Sequence, residues 1–232
     1  ICSFGGQIWD LNSNEPTPDH PGVLAALNDM VEAVNRYGVD TLDRWSAGVG
    51  GMEGVQQPFF TGHLSMVIDG DWYLQQIDEM HPDWQPGNQY GVDAAPFAPE
   101  SKRGGEPAVS LWVWPQLISK DAKQPRWAWE YMRWGSSRER AIKGASYTRD
   151  LISTACYLED PRVNWESAKA VVRVTKGGKK SVSPLPCTPI SGEYADLIGA
   201  AIDEIIHLKI TPEEGMARVK DEALSLYAEF RE

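Results

Sequence analysis

The sequence has little positive charge. It carries 22 Lys and Arg against 33 Asp and Glu, a formal net charge of −11. That argues against a nucleic-acid partner, because neutralising phosphates needs clustered cations. It has no apolar run approaching the roughly 20 residues that span a bilayer. It has three cysteines, Cys2, Cys156 and Cys187, with no CxxC pair, and four histidines. A zinc site or thioredoxin-like redox centre is therefore not expected, and with the histidines scattered neither is another metal site. Two readings of the cysteines stay open: a Cys156–Cys187 bridge in an exported protein, or three buried thiols. The chain shows no signal peptide and begins at Ile1 in mid-pattern, so an upstream N-terminal segment is expected to be missing.

What remains is ordinary globular protein, 42% hydrophobic and 24% charged over 232 residues, with one outlier. The ten tryptophans offer large flat apolar faces with a polar N–H, which suit either a core or the C–H face of a sugar ring.

Apolar spacing predicts helices over 19–37, from about 71, over 122–134 and 136–145, briefly over 165–172, and over 193–208 and 211–230. The last begins with Thr211, Pro212 and Glu214, a capping box with proline in the first turn. Strands are predicted over Leu64–Ile68, Gly91–Phe97 and Val109–Ile118, and the glycine-rich 46–57 as loop. The class is α/β, with strands short and far apart.

The order of segments then resembles a known family. In Phe60-Thr61-Gly62-His63-Leu64-Ser65-Met66-Val67-Ile68-Asp69-Gly70-Asp71-Trp72 the stretch from Gly62 is similar to the G-x-x-A-M-x-x-x-G-x-W part of the signature of family 1 extracellular solute-binding proteins, the maltose-binding-protein class, with Ser65 in place of the Ala. Gly91-Val92-Asp93-Ala94-Ala95-Pro96-Phe97, Val113-Trp114-Pro115-Gln116-Leu117-Ile118-Ser119-Lys120 and Ala128-Trp129-Glu130-Tyr131-Met132 follow in the family's order. Trp112 and Val113 stand where the family usually has two glycines.

The resemblance implies a periplasmic-binding-protein-like bilobal fold of type II, represented by its C-terminal portion. Residues 1–109 would form the first part of the C-terminal lobe. Residues 110–114 would cross a hinge, 115–172 return to the N-terminal lobe, 173–190 connect back, and 191–232 complete the C-terminal lobe. It implies a non-catalytic receptor that clamps a sugar or oligosaccharide between the lobes and delivers it to the permease subunits of an ABC importer. The location would be periplasmic or extracellular, with a cell-surface lipoprotein as a variant whose membrane tether would lie in the missing N-terminus. The alternatives are a polyol, glycerophosphodiester or peptide ligand, or a carbohydrate-active enzyme using Asp69 and Asp71, whose places flanking one turn do not suit opposite sides of a glycosidic bond.

Six residues are candidates for the ligand site, each with a structural alternative. Trp72 follows a strand–turn at a helix start, where α/β clefts form, and can stack on a sugar; otherwise it anchors its helix. Asp71 can accept sugar hydroxyls or cap the helix. Trp112 and Trp114 alternate along a strand and share a face, either a cleft platform or core. Tyr194 opens the penultimate helix, where the family often sets an aromatic against the sugar; a buried-edge Tyr is equally natural. Arg149 offers a fork of donors to vicinal hydroxyls or a uronate, or makes a surface ion pair. The group Trp127, Trp129 and Trp134 lies at helical spacing and is expected to be core.

Overall fold

In the computed structural model, residues 1–48, 57–93, 109–111, 116–150, 152, 155–166, 168–169, 182–184 and 188–231 are described. They form helices α1 (Pro21–Tyr37), α2 (Val39–Gly48), α3 (Tyr73–Met80), α4 (Pro125–Gly135), α5 (Arg138–Thr148), α6 (Ser191–Ile206) and α7 (Pro212–Arg231). Strands β1 (Trp9–Asp10) and β2 (Glu15–Pro16) make an antiparallel pair, and β3 (Val109–Leu111) pairs with β4 (Val182–Pro184). The chain divides into two compact units. One holds Ile1–Gly51, Ala95–Ser110 and Lys179–Glu232; the other holds Met52–Ala94 and Leu111–Gly178.

The first unit is organised by α1, α6 and α7. In α7, Met216, Val219, Ala223 and Tyr227 are buried, and in α6 Tyr194, Ala201 and Ile205 are buried. These positions recur at three, four and seven residues, so each set makes one apolar stripe. Val23 and Leu27 of α1 close the cluster together with Trp9. Removing each of the larger aliphatic side chains among them from water contributes about 1.5–3 kcal/mol. The capping box holds α7 as the sequence predicts. The Thr211 backbone N–H donates to Glu214 Oε2 at 3.0 Å, and the Glu214 backbone N–H donates to Thr211 Oγ1 at 3.2 Å. Lys220 of α7 pairs with Asp19, just before α1, at 2.7 Å. Gly22 sits where α1 crosses residue 6 so closely that a Cβ on it would lie 2.5 Å from the Gly6 nitrogen.

The second unit has a separate core. Phe60, Tyr73, Leu74 and Ile77 pack with Ile142, Ala145, Ile152, Trp165 and Ala168. The enclosed amide of Gln57 donates from Nε2 to Gln76 at 2.7 Å and accepts the Tyr73 hydroxyl at 2.6 Å. Asp160 is also buried, and it accepts from Arg138 Nε at 3.1 Å and from the Arg162 guanidinium at 2.9 Å.

Several sequence expectations change here. Residues 52–94 cluster with 111–178 in the second unit, where the apolar face of α3 is buried against α5 and its neighbours. Leu64–Ile68 is not a ladder strand: Met66 and Ile68 are exposed, and no strand pairs with them among the described residues. An apolar run reports hydrophobicity, whereas a strand also needs a partner edge. Of the predicted Val109–Ile118 strand, Val109–Leu111 is formed, 112–115 lie outside the described residues, and 116–118 are irregular. Gly91–Asp93 is irregular, and 94–97 lie outside the described residues. Helix α2, within a stretch read as unstructured at its end, buries no side chain. Trp127, Trp129 and Trp134, expected in the core, are exposed on α4, a helix with no buried residue. Cys156 is an exposed free thiol, which leaves neither of its two sequence readings standing.

Candidate functional site

The segment Ile68-Asp69-Gly70-Asp71-Trp72 turns into α3 by local chemistry. The Asp69 carboxylate accepts the Gly70 backbone N–H at 2.7 Å, and the Gly70 carbonyl accepts the Tyr73 N–H at 3.1 Å. Trp72, not Asp71, takes the N-cap position of α3, and no side-chain hydrogen bond caps it. The six-membered ring of the Trp72 indole lies against the Gly70 backbone, so close that a Cβ there would meet ring carbons at 2.2 Å. Only glycine permits that contact. The indole is thereby fixed on one side while 45% of the residue stays open to solvent. Below the turn, Tyr73 is buried, and burial, with the Asp69 charge second, pushes its phenol above the ordinary tyrosine range. A pre-positioned indole beside two carboxylates can stack on a ring and accept its hydroxyls.

The other candidates fall elsewhere. Tyr194 is enclosed in the first unit: it is 3% exposed, lies edge-to-face with Trp9 at 5.9 Å, and donates its hydroxyl to the Ile8 carbonyl at 2.6 Å. Burial, with the charge of Asp19 second, raises its phenol well above the ordinary value. Arg149 closes α5 in a left-handed conformation, φ 62°, and its Nε donates to Asp78 Oδ2 of α3 at 2.7 Å. Burial of Tyr90 raises its phenol, and Asp78, Arg149 and Glu166 all act on it electrostatically. Arg149 therefore ties α5 to α3 with an ion pair. Trp112 and Trp114 lie outside the described residues. Among the described residues no group of His, Cys, Asp and Glu is arranged to hold a metal ion, and no helix is long and apolar enough to cross a membrane.

Sequence reasoning missed two features. Gly70 presents the Trp72 ring, and the G-x-W spacing carried that signal. A groove of about 450 Å³ is lined by Trp134, Glu139, Arg140, Lys143, Ser146 and Arg162, side chains from separate stretches of the sequence.

No protein-family model matches the chain, and no curated protein sequence matches it. Solved structures do. The chain is similar to CpMnBP1 with mannotriose bound, at 23% identity and a TM-score of 0.73, over 95% of this chain and 55% of that one. It is similar to maltose-bound T. maritima MalE3, at 18% identity and a TM-score of 0.69, over 97% of this chain and 55% of that one. It is also similar to the ABC substrate-binding protein Lmo0181 from Listeria monocytogenes in complex with cycloalternan, at 14% identity and a TM-score of 0.62, over 97% and 54%. The chain thus spans about half the length of the structures it matches. Over nearly all of its own length, it has the periplasmic-binding-protein-like fold that the sequence resemblance implies.

Proposed function

We propose that the protein of which this chain is part binds a sugar or oligosaccharide without turning it over and delivers it to the permease subunits of an ABC importer. It would work outside the cytoplasmic membrane, without a cofactor. The reading is supported by likeness of fold to proteins solved with mannotriose, maltose and cycloalternan. The observation that carries it is Trp72, whose indole is held by the Gly70 backbone and half open. Trp72 stacks on a pyranose ring, and Asp71 accepts its hydroxyls. Trp112 and Trp114, two apart in the sequence and so on one face if that stretch is a strand, are further candidates for stacking on the ligand. Tyr194 is left out because its hydroxyl is already used inside the first unit.

The test is a thermal-shift and calorimetric screen against mannobiose, mannotriose, maltose and longer glucans. A ligand at 100 times its Kd adds about 2.7 kcal/mol of stability, a shift that is easily read. Trp72→Ala should weaken the binding tenfold or more with little change in the unliganded melting point. If polyols, glycerophosphodiesters or peptides shift the protein and no saccharide does, the sugar assignment fails. Release of reducing ends from any saccharide, lost in Asp69→Asn, would replace the receptor with an enzyme.

A further inference from the structure

Helix α3 starts without a side-chain cap. Its opening is wound by main-chain bonds to the third residue back. The Tyr73, Leu74 and Gln75 N–H groups donate to the carbonyls of Gly70, Asp71 and Trp72 at 3.1, 3.2 and 3.0 Å. Bonds of that reach fix the shape of a turn. They leave open which way the turn faces relative to the core beneath it. Trp72 rides on this turn, and its contact with Gly70 ties the ring to the turn alone.

The core supplies the remaining constraint through Gln57, which is 1% exposed. Its Oε1 accepts the Tyr73 hydroxyl at 2.6 Å, and its Nε2 donates to Gln76 Oε1 at 2.7 Å. Tyr73 and Gln76 are three apart, so they share one face of the first turn of α3, and a single amide grips both. Gln57 is itself held, because its carbonyl accepts the Thr61 N–H at 3.0 Å and the Thr61 hydroxyl at 3.1 Å. The Tyr73 ring packs on Phe60 and Phe59, with centroids 5.6 and 6.0 Å away. Apolar packing is non-directional and tolerates a slide of the helix start. A buried amide and hydroxyl do not, since a displaced partner is left unsatisfied in a dry interior. Every contact used here lies within residues 57–76, inside the second unit.

From this placement we propose that Gln57 is a positioning residue for Trp72: through Tyr73 and Gln76 it sets the direction of the α3 start, and so the plane of the indole offered to the ligand. The inference rests on Trp72 being the stacking surface. Gln57 does not touch the ligand. Without its grip the turn samples other tilts, and affinity falls with the fraction of molecules that still present the indole correctly. The worth of one hydrogen bond limits that fall to roughly two- to tenfold.

The experiment uses the full-length protein and two readouts. One is the Trp72 indole N–H peak in a proton–nitrogen correlation spectrum, assigned by its loss in Trp72→Phe. The other is calorimetric affinity for mannotriose and for maltose. Tyr73→Phe keeps the ring and removes the hydroxyl, and Gln57→Met keeps the length and removes both polar atoms. Each should shift or broaden the Trp72 peak and weaken binding to the stated extent. Ile142→Val trims the same core away from the grip; it should lower the melting point and leave the peak and the affinity at their wild-type values. An unmoved Trp72 peak in Tyr73→Phe and Gln57→Met overturns the proposal, whatever the melting points do. So does a moved peak with unchanged affinity for a sugar the wild type binds, or an equal movement in Ile142→Val, which would make core softening the cause. Where Gln57→Met fails to fold, Tyr73→Phe decides. A wild type that binds neither sugar defeats the sugar reading instead, and the peak alone then decides the positioning.

Discussion

Replacing Tyr194 with Phe removes one oxygen and keeps every ring contact, which makes it a sharp test of what that residue is for. In the fold, the hydroxyl donates to the Ile8 carbonyl at 2.6 Å, and the same carbonyl accepts the Thr17 N–H at 2.9 Å. Losing the phenol therefore leaves the carbonyl with one donor. The penalty for a wholly unsatisfied buried group, about 1–3 kcal/mol, does not apply; the net worth of one hydrogen bond, about 0.5–1.5 kcal/mol, does. The ring still meets Trp9 edge-on, so no cavity opens. With a urea slope of about 2 kcal/mol/M, the midpoint should fall by roughly 0.5 M and the slope should hold. The pH dependence gives a second reading. The folded phenol titrates well above its ordinary value, because it is buried and Asp19 is near. Its contribution is fully present below the unfolded value of about 10 and is lost as pH rises from there toward the folded value. Wild type should lose stability above pH 10 faster than the Phe variant. A tenfold loss of sugar affinity with an unmoved urea midpoint would refute this reasoning, since it would make the hydroxyl a ligand group.

Three further outcomes follow from the same structure. Gly22→Ala should destabilise by about 1–3 kcal/mol, read as a lower urea midpoint, because its Cβ would meet Gly6 backbone at 2.5 Å; helix propensity alone predicts the opposite sign. Thr211→Ala should cost about 1 kcal/mol by removing the reciprocal cap of α7, seen in the same titration. Asp160 is held well below the usual carboxylate range, first by the Arg162 side chain and then by its backbone N–H. Its contribution is complete above the unfolded value of about 4 and is lost as pH falls from there toward the folded value. Melting temperatures measured from pH 6 to pH 2 should therefore drop less steeply in Asp160→Asn than in wild type.

The helices of the first unit were legible because their signals are local and repeated. Met216, Val219, Ala223 and Tyr227 mark one face at helical spacing, and Thr211 with Glu214 marks where it starts. Helix α2 was not read from the sequence: its apolar positions Val39, Leu42 and Trp45 are few and spaced by three, and none of its side chains is buried. It starts where Gly38, at φ 83°, ends α1. The Leu64–Ile68 misreading has a different cause. Hydrophobic residues in a row state a demand for cover without saying which chain supplies it, and hydrogen-bond partners of strands lie far away in sequence.

The candidate site divides along the same line. The contact that sets the Trp72 ring, with Gly70, is two residues away and so is readable in the sequence. The place of Tyr194 was not readable, because the carbonyl that takes its hydroxyl is 186 residues distant, and the same side chain in the same helix turn serves a sugar or a core equally well. The α4 tryptophans show the limit most clearly. Periodicity correctly put Trp127 and Trp134 on one face, and it is silent on what that face meets. Within this chain they stay exposed, with Arg140 set on the Trp134 ring. Spacing along a chain fixes which side chains act together. Only the neighbours that arrive from elsewhere decide whether they are sealed in or offered to a ligand.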